Sequence, residues 1–223
     1  MRSDRVKIET YTKKYWKDMS LKEKISYFFD YFLWQTIVAI ASVAIIISLV
    51  VSYLTSIDVD LYVMIAGETY IDSEYIDKMK NDLKEYIIDL DGDDRQTAEI
   101  SNIILQINTK DAVAEEYNQA MITKMAVQLA AGDPMLVILS PLQYQDFKYK
   151  GIEFVDISQV TEKSIEGSVV LVKDTKLANY DSFKILPDNY VLGCIYMEYN
   201  DKTSKTKKTM YENTKETFMQ LIK

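Results

Sequence analysis

The sequence predicts an α/β protein: an N-terminal transmembrane helix, then one extracytoplasmic three-layer domain with a mostly parallel sheet of about five strands. Three observations carry this prediction. No charged residue occurs between Asp30 and Asp58. Beyond that gap the apolar residues switch from period 2 to period 3.6 and back, in the order strand, helix, strand, helix, strand. The segments joining successive strands are long enough for the crossovers that parallel pairing requires.

Taken from the N-terminus, Ser20 and Glu23 in "SLKEKISYFFDYFLW" form a capping-box pair, which starts a helix that runs on into apolar sequence. Leu33 to Leu54 has about the length that crosses a hydrocarbon core as a helix. Trp34 and Tyr53 stand near its two ends, where amphipathic aromatics favour the membrane interface. A cleaved signal peptide would have a shorter charged leader, a shorter apolar core and a small-residue cleavage site. A retained anchor is the better fit.

Residues 1–30 hold eight basic side chains: Arg2, Arg5, Lys7, Lys13, Lys14, Lys17, Lys22 and Lys24. The first basic residue after the span is Lys78. Positive charge stays on the cytoplasmic side. Residues 1–30 are therefore expected to be a cytoplasmic basic juxtamembrane segment, 31–56 the transmembrane helix and 57–223 the extracytoplasmic domain. Lys13, Lys14 and Lys17, with Tyr11, Tyr15 and Trp16, suit an anionic inner leaflet. The lipid bilayer is thus the first partner that the sequence implies.

Outside, "DVDLYVMIA" alternates, with Val59, Leu61, Val63 and Ile65 on one face, and reads as a strand. "DSEYIDKMKNDLKEYI" reads as a helix, with Ile76, Met79, Leu83 and Ile87 on one stripe. "EISNIILQI" is the second strand. "AEEYNQAMITKMAVQLAA" is the second helix of the domain, with Tyr117, Met121, Met125 and Leu129 along one side. Gly132 suits a left-handed C-cap, and Asp133 and Pro134 stop the helix and aim the chain into the sheet. "MLVILS", Met135 to Ser140, has no polar alternation and fits a central strand covered on both faces. "LQYQDFKYKG" reads as a short helix ending at Gly151, and "SVVLVKD" and "YVLGCIYME" as further strands. A last helix is expected over about Met210 to Ile222, with a capping box at Thr209 and Glu212.

Composition excludes several chemistries. The chain has no histidine, hence no Ser-His-Asp or Cys-His site. One cysteine, Cys194, allows neither an internal disulfide nor a cysteine-rich zinc site, and its apolar run suits a buried, inert thiol. Residues 57–223 carry 18 basic and 29 acidic side chains, a surface that repels nucleic-acid phosphate. The nearest approach to a metal motif is "DLDGDD". Asp89, Asp91 and Asp93 match the first three ligands of a calcium loop. Asp94 and Ile100 stand where that loop needs glycine and glutamate, so an acidic turn is the better reading. No cofactor is expected.

In open α/β sheets, ligands lie beyond the carboxyl ends of the strands. That rule points to Gly67, Glu68 and Thr69 after the first strand, and to Ser140, Pro141 and Gln143 after the third, as the candidate ligand-binding rim.

The stretch "MITKMAVQLAAGDPMLVILSPLQYQDFKYKGIEFVDIS" resembles a segment of bacterial extracellular solute-binding proteins of the type 2 periplasmic-binding fold. Ala130-Ala131-Gly132-Asp133-Pro134 and Gly151-Ile152-Glu153-Phe154-Val155-Asp156-Ile157 carry the match, with Met135 where an aspartate usually follows the proline. The resemblance implies a lobe of a solute receptor. Those proteins close two lobes on a ligand, and residues 57–223 have room for one. The layout is also similar to uncharacterised single-pass membrane proteins of Clostridia-like, Gram-positive bacteria.

Two functional readings follow. The first is a non-enzymatic, membrane-anchored interaction domain whose partner is a membrane or envelope protein, as in an accessory to a transporter or envelope complex. The second is a small-ligand receptor using one solute-binding-like lobe. Good small-molecule sites enclose most of their ligand. A single lobe covers one side, which favours the first.

Overall fold

The computed structural model describes residues 20–55, 59–90, 92–106, 111–132, 135–198 and 203–223. The chain divides into two compact units, Met1–Ser56 and Ile57–Lys223.

In the first unit, helix α1 spans Leu21–Thr55, 35 residues. Its first turn closes where Lys24 N–H donates to the Ser20 carbonyl at 3.0 Å. Among the described residues no helix is long and apolar enough to cross a membrane. The basic residues expected at the inner leaflet, Lys13, Lys14 and Lys17, lie outside the described residues, as do Asp91, Asp133 and Pro134.

The second unit is an α/β domain. Its strands are β1 (Leu61–Gly67), β2 (Ala98–Ile104), β3 (Leu136–Leu139), β4 (Val169–Leu171) and β5 (Val191–Cys194). Its helices are α2 (Ser73–Leu83), α3 (Ala112–Ala131), α4 (Pro141–Tyr149) and α5 (Lys205–Ile222). The sheet order is β2-β1-β3-β5-β4. β1 pairs in parallel with β2 and with β3. Helix α2 leads from β1 to β2 on one side, and α3 leads back to β3 on the other side of β1. The crevice beyond the ends of β1 and β3 is therefore the topological switch point.

The periodicities hold. Odd-numbered β1 side chains Leu61, Val63 and Ile65 pack in one cluster with Met79 and Leu83 of α2 and Tyr211, Phe218 and Leu221 of α5. Met64 and Ala66 pack in the other with Met125 of α3 and Tyr144 and Phe147 of α4. Helices thus cover both faces of the sheet. Gly132 ends α3 in the left-handed region, φ 73°, with its N–H bonded to the Gln128 and Leu129 carbonyls. Helix α5 starts earlier than the sequence suggests. Ser204 caps it, and Thr209 lies inside, donating to the Lys205 carbonyl at 3.1 Å.

The expectation of a mostly parallel sheet is corrected. β5 runs antiparallel to both β3 and β4, which makes the sheet mixed. The segment from β4 to β5 contains only the 3₁₀ turns Val172–Asp174, Lys176–Asn179 and Phe183–Ile185. None is long enough to carry the chain across a face of the sheet. The chain turns back at the rim it has just reached, and an antiparallel neighbour results.

Candidate functional site

That reversal decides what occupies the switch point. A parallel fifth strand would put its start at the far end of the sheet. Running backwards, β5 begins at the rim, and Tyr190, one residue before it, is delivered to the crevice between the ends of β1 and β3. Tyr190 is 2% exposed. Its N–H donates to the Pro187 carbonyl at 3.0 Å, which closes the turn into the strand.

The Tyr190 hydroxyl is saturated within the crevice. It accepts the Glu68 N–H at 3.1 Å and the Thr69 N–H at 3.3 Å, and it donates to Thr69 Oγ1 at 3.1 Å. Backbone amides at this point of an α/β sheet are the groups that would meet an anionic ligand. Here the protein's own phenol holds them.

Ser140 closes the other side. Its N–H donates to the Ala66 carbonyl at 2.9 Å, extending the ladder beyond β3. Its hydroxyl caps α4 by accepting the Gln143 N–H at 3.4 Å, and it donates to Glu68 Oε1 at 3.1 Å. Pro141 follows in the first turn of α4, where a missing N–H costs nothing. Of the six candidate rim residues, Gly67, Glu68, Thr69 and Ser140 are brought together. Pro141 is exposed beside them.

Gln143 departs from its expected place on an open rim. It is 6% exposed, and its Oε1 has no hydrogen-bond partner among the described residues. The third position of α4 turns inward, so the residue belongs to the packed base of the helix.

At the rim the Glu68 carboxylate accepts from the Ser140 hydroxyl. Ser140 is 1% exposed and its hydroxyl is already committed as cap and donor. A buried, doubly engaged hydroxyl is poorly placed to attack a substrate. Two cavities are bordered by other residues. One of about 150 Å³ sits past the end of β4, bordered by Val172, Lys173, Phe183, Lys184 and Pro187. The other, of about 180 Å³, lies at the β2 edge.

The acidic loop after α2 is tied into the fold. Asp89 accepts the N–H groups of Gly92 at 2.8 Å and Asp94 at 2.9 Å, and Asp93 accepts that of Arg95 at 2.8 Å. Asp60, 3% exposed, receives the N–H groups of Leu90 and Thr97. Asp93, bonded two residues on, builds an Asx turn, while Asp60 ties both ends of the loop to the start of β1.

Sequence reasoning also missed a polar constellation on α4. Tyr144 and Lys148, one turn apart on α4, both donate to Glu166 Oε2, the tyrosine at 2.9 Å. Ser168 Oγ lies 3.3 Å from the Tyr144 hydroxyl. Burial raises the Tyr144 phenol above its ordinary value. The hydrogen bond to Glu166 raises Lys148, and the one from Lys148 lowers Glu166. All three groups are thereby held in their ordinary charge states at neutral pH, a poor arrangement for proton transfer. The cluster fixes Glu166, which has a positive φ of 52°. The spacing of Tyr144 and Lys148 is visible in the sequence, but their partner lies 18 or more residues on.

No known family model matches the chain, and no curated protein or solved structure is significantly similar to it.

Proposed function

We propose that the chain is a membrane-anchored protein whose residues 57–223 form an extracytoplasmic, non-enzymatic interaction domain for a membrane or envelope protein. The observation that carries the choice over a small-ligand receptor is the closure of the switch-point crevice by Tyr190. A receptor lobe keeps its backbone donors free for its ligand. This one spends those of Glu68 and Thr69 internally.

The anchor rests on the sequence. Leu33 to Leu54 is uncharged and long enough to span, and the basic flank lies on its N-terminal side. The described side chains of α1 support it. Ile37, Val38, Ile40, Val43, Ile45, Ile46 and Ile47 stand exposed around the helix, and a helix apolar on all sides belongs in an apolar medium. This reading puts the N-terminus in the cytoplasm.

Thermal unfolding of the full chain in mild detergent tests the choice, against sugars, amino acids, nucleotides and small carboxylates at about 100 times a micromolar Kd. No solute should raise the melting temperature. A saturable rise that disappears in Glu68→Gln would replace this reading with the receptor.

A further inference from the structure

The sheet has two unlike edges. β4 has three residues. β2 has seven, with no lysine, proline or bulge to blunt it, and keeps unbroken register with β1 from Ala98 to Ile104. Its ladder direction is fixed at both ends. Leu61 N–H donates to the Thr97 carbonyl at 3.1 Å, and Leu105 N–H to the Gly67 carbonyl at 2.8 Å. Alternation along a parallel ladder then turns the backbone groups of residues 99, 101 and 103 toward β1. Those of Ala98, Ile100, Asn102 and Ile104 point outward, and among the described residues no other element's backbone pairs with them.

A cavity of about 180 Å³ opens against the same edge, bordered by Tyr62, Glu99, Ser101, Asn102, Lys124 and Gln128. Its polar groups are mostly committed. Ser101 donates to Gln128 Oε1 at 2.8 Å, and Lys80 holds Glu99 at 2.8 Å. Lys124 has no ion-pair partner among the described residues, which leaves one uncompensated cation at the cavity. Helix α3, which forms one wall, buries only Ala114 and Met125. Val113 and Val127 on its outer side are 72% and 63% exposed.

We infer that the β2 edge docks an extended segment of a partner protein as a sixth strand, with an acidic side chain set beside Lys124. This rests on the interaction-domain reading and names the partner's chemistry. Strand addition obtains affinity from the outward N–H and C=O groups and selectivity from side-chain pockets beside them. The charge at the cavity decides the side chain. The Lys80–Glu99 pair joins a helix on one face to a side chain on the other, so it passes round this edge and keeps the Glu99 charge committed away from Lys124.

The test uses the full chain in detergent micelles and a capped seven-residue peptide of alternating Thr and Val with a central Glu. Controls carry Lys in place of that Glu, or N-methyl groups on alternate amides. The Glu peptide should bind, the Lys peptide about tenfold or more weakly, and the methylated peptide not at all. Asn102→Pro removes one outward N–H, a change an edge strand tolerates, and should abolish binding with little change in melting temperature. Lys124→Glu should invert the charge preference and serves if Asn102→Pro does not fold. The inference is overturned if the Glu peptide fails to bind at ~1 mM, if methylation or Asn102→Pro leaves binding intact, or if that variant only removes self-association, which would make a second copy the occupant. A negative peptide result with no solute response leaves the interaction-domain reading standing. A saturable solute response removes that reading whatever the peptide does.

Discussion

The Tyr190 hydroxyl occupies the space that a side chain on Gly67 would need. A Cβ built on Gly67 would lie 2.0 Å from Tyr190 Oη and 2.7 Å from its Cζ. The two residues are more than 120 positions apart, and the missing side chain of one is the seat of the other.

Gly67→Ala should therefore destabilise the domain by roughly 1–3 kcal/mol, as overpacking does. Tyr190→Phe should cost about 0.5–1.5 kcal/mol by removing the hydroxyl that accepts the Glu68 and Thr69 N–H groups. The double variant should lose less than the sum, because phenylalanine removes the atom at 2.0 Å. Denaturant unfolding of all four proteins gives the coupling. Strict additivity would mean that the residues do not share this space.

Gln143→Met keeps the volume and removes an amide oxygen that has no partner among the described residues. The variant should be at least as stable as the wild type, because an unsatisfied buried polar atom costs about 1–3 kcal/mol. A loss above about 1 kcal/mol would show that the amide is hydrogen-bonded in solution.

Gly132→Val should cost roughly 1 kcal/mol or more, since a β-branched residue is strained at a φ of 73°. The cap is also braced from α5, where Lys207 Nζ donates to the Ala131 carbonyl at 2.5 Å. Lys207→Met should weaken the same helix end by less. An unchanged melting temperature in Gly132→Val would remove the left-handed cap.

Much of the fold is legible in the sequence because it is local. The stripe Met79 and Leu83, the alternation in β1 and the cap at Gly132 each follow from neighbours within a few residues, whereas Ile87, expected on the same helix, lies past its end in extended backbone. The direction of β5 is not local. It depends on the absence of a crossing helix between Leu171 and Val191, and "KDTKLANYDSFKILPDN" gives little sign of whether it will cross a face or turn at the rim. For the site, strand order was enough to bring Gly67, Glu68, Thr69 and Ser140 together. Tyr190 was invisible, because only an antiparallel β5 delivers it there. Gln143 was misplaced by one helical turn's geometry, since the third residue of α4 faces in.

The pH dependence follows from burial and pairing. Burial pushes the Cys194 thiol up to about 12, and it pushes the Tyr211 phenol up to about 12. Both folded values lie above the ordinary ones of 9.0 and 10.0, so their contribution is complete below about pH 9 and is lost as pH rises toward 12. Glu166 is lowered by its bond from Lys148, and Asp156 by the Ser158 N–H. Their contribution is present above the ordinary values of 4.5 and 3.8 and is lost as pH falls below them. The melting temperature should be flat between about pH 5 and 8.5 and should fall on both sides. Cys194→Ala should flatten part of the alkaline fall. The native thiol should also resist a thiol-specific reagent until the chain unfolds, and a fast native reaction would contradict its burial.

Hydrogen exchange at the Glu68 and Thr69 amides tests the closed crevice most directly. Glu68 is exposed, so its amide has little shelter besides the Tyr190 hydroxyl. In the full-length wild type, with no solute added, both amides should exchange slowly, and in Tyr190→Phe both should exchange much faster while those of β1 stay protected. Fast exchange in the wild type, or protection unchanged by Tyr190→Phe, would contradict the closure and return these donors to a ligand.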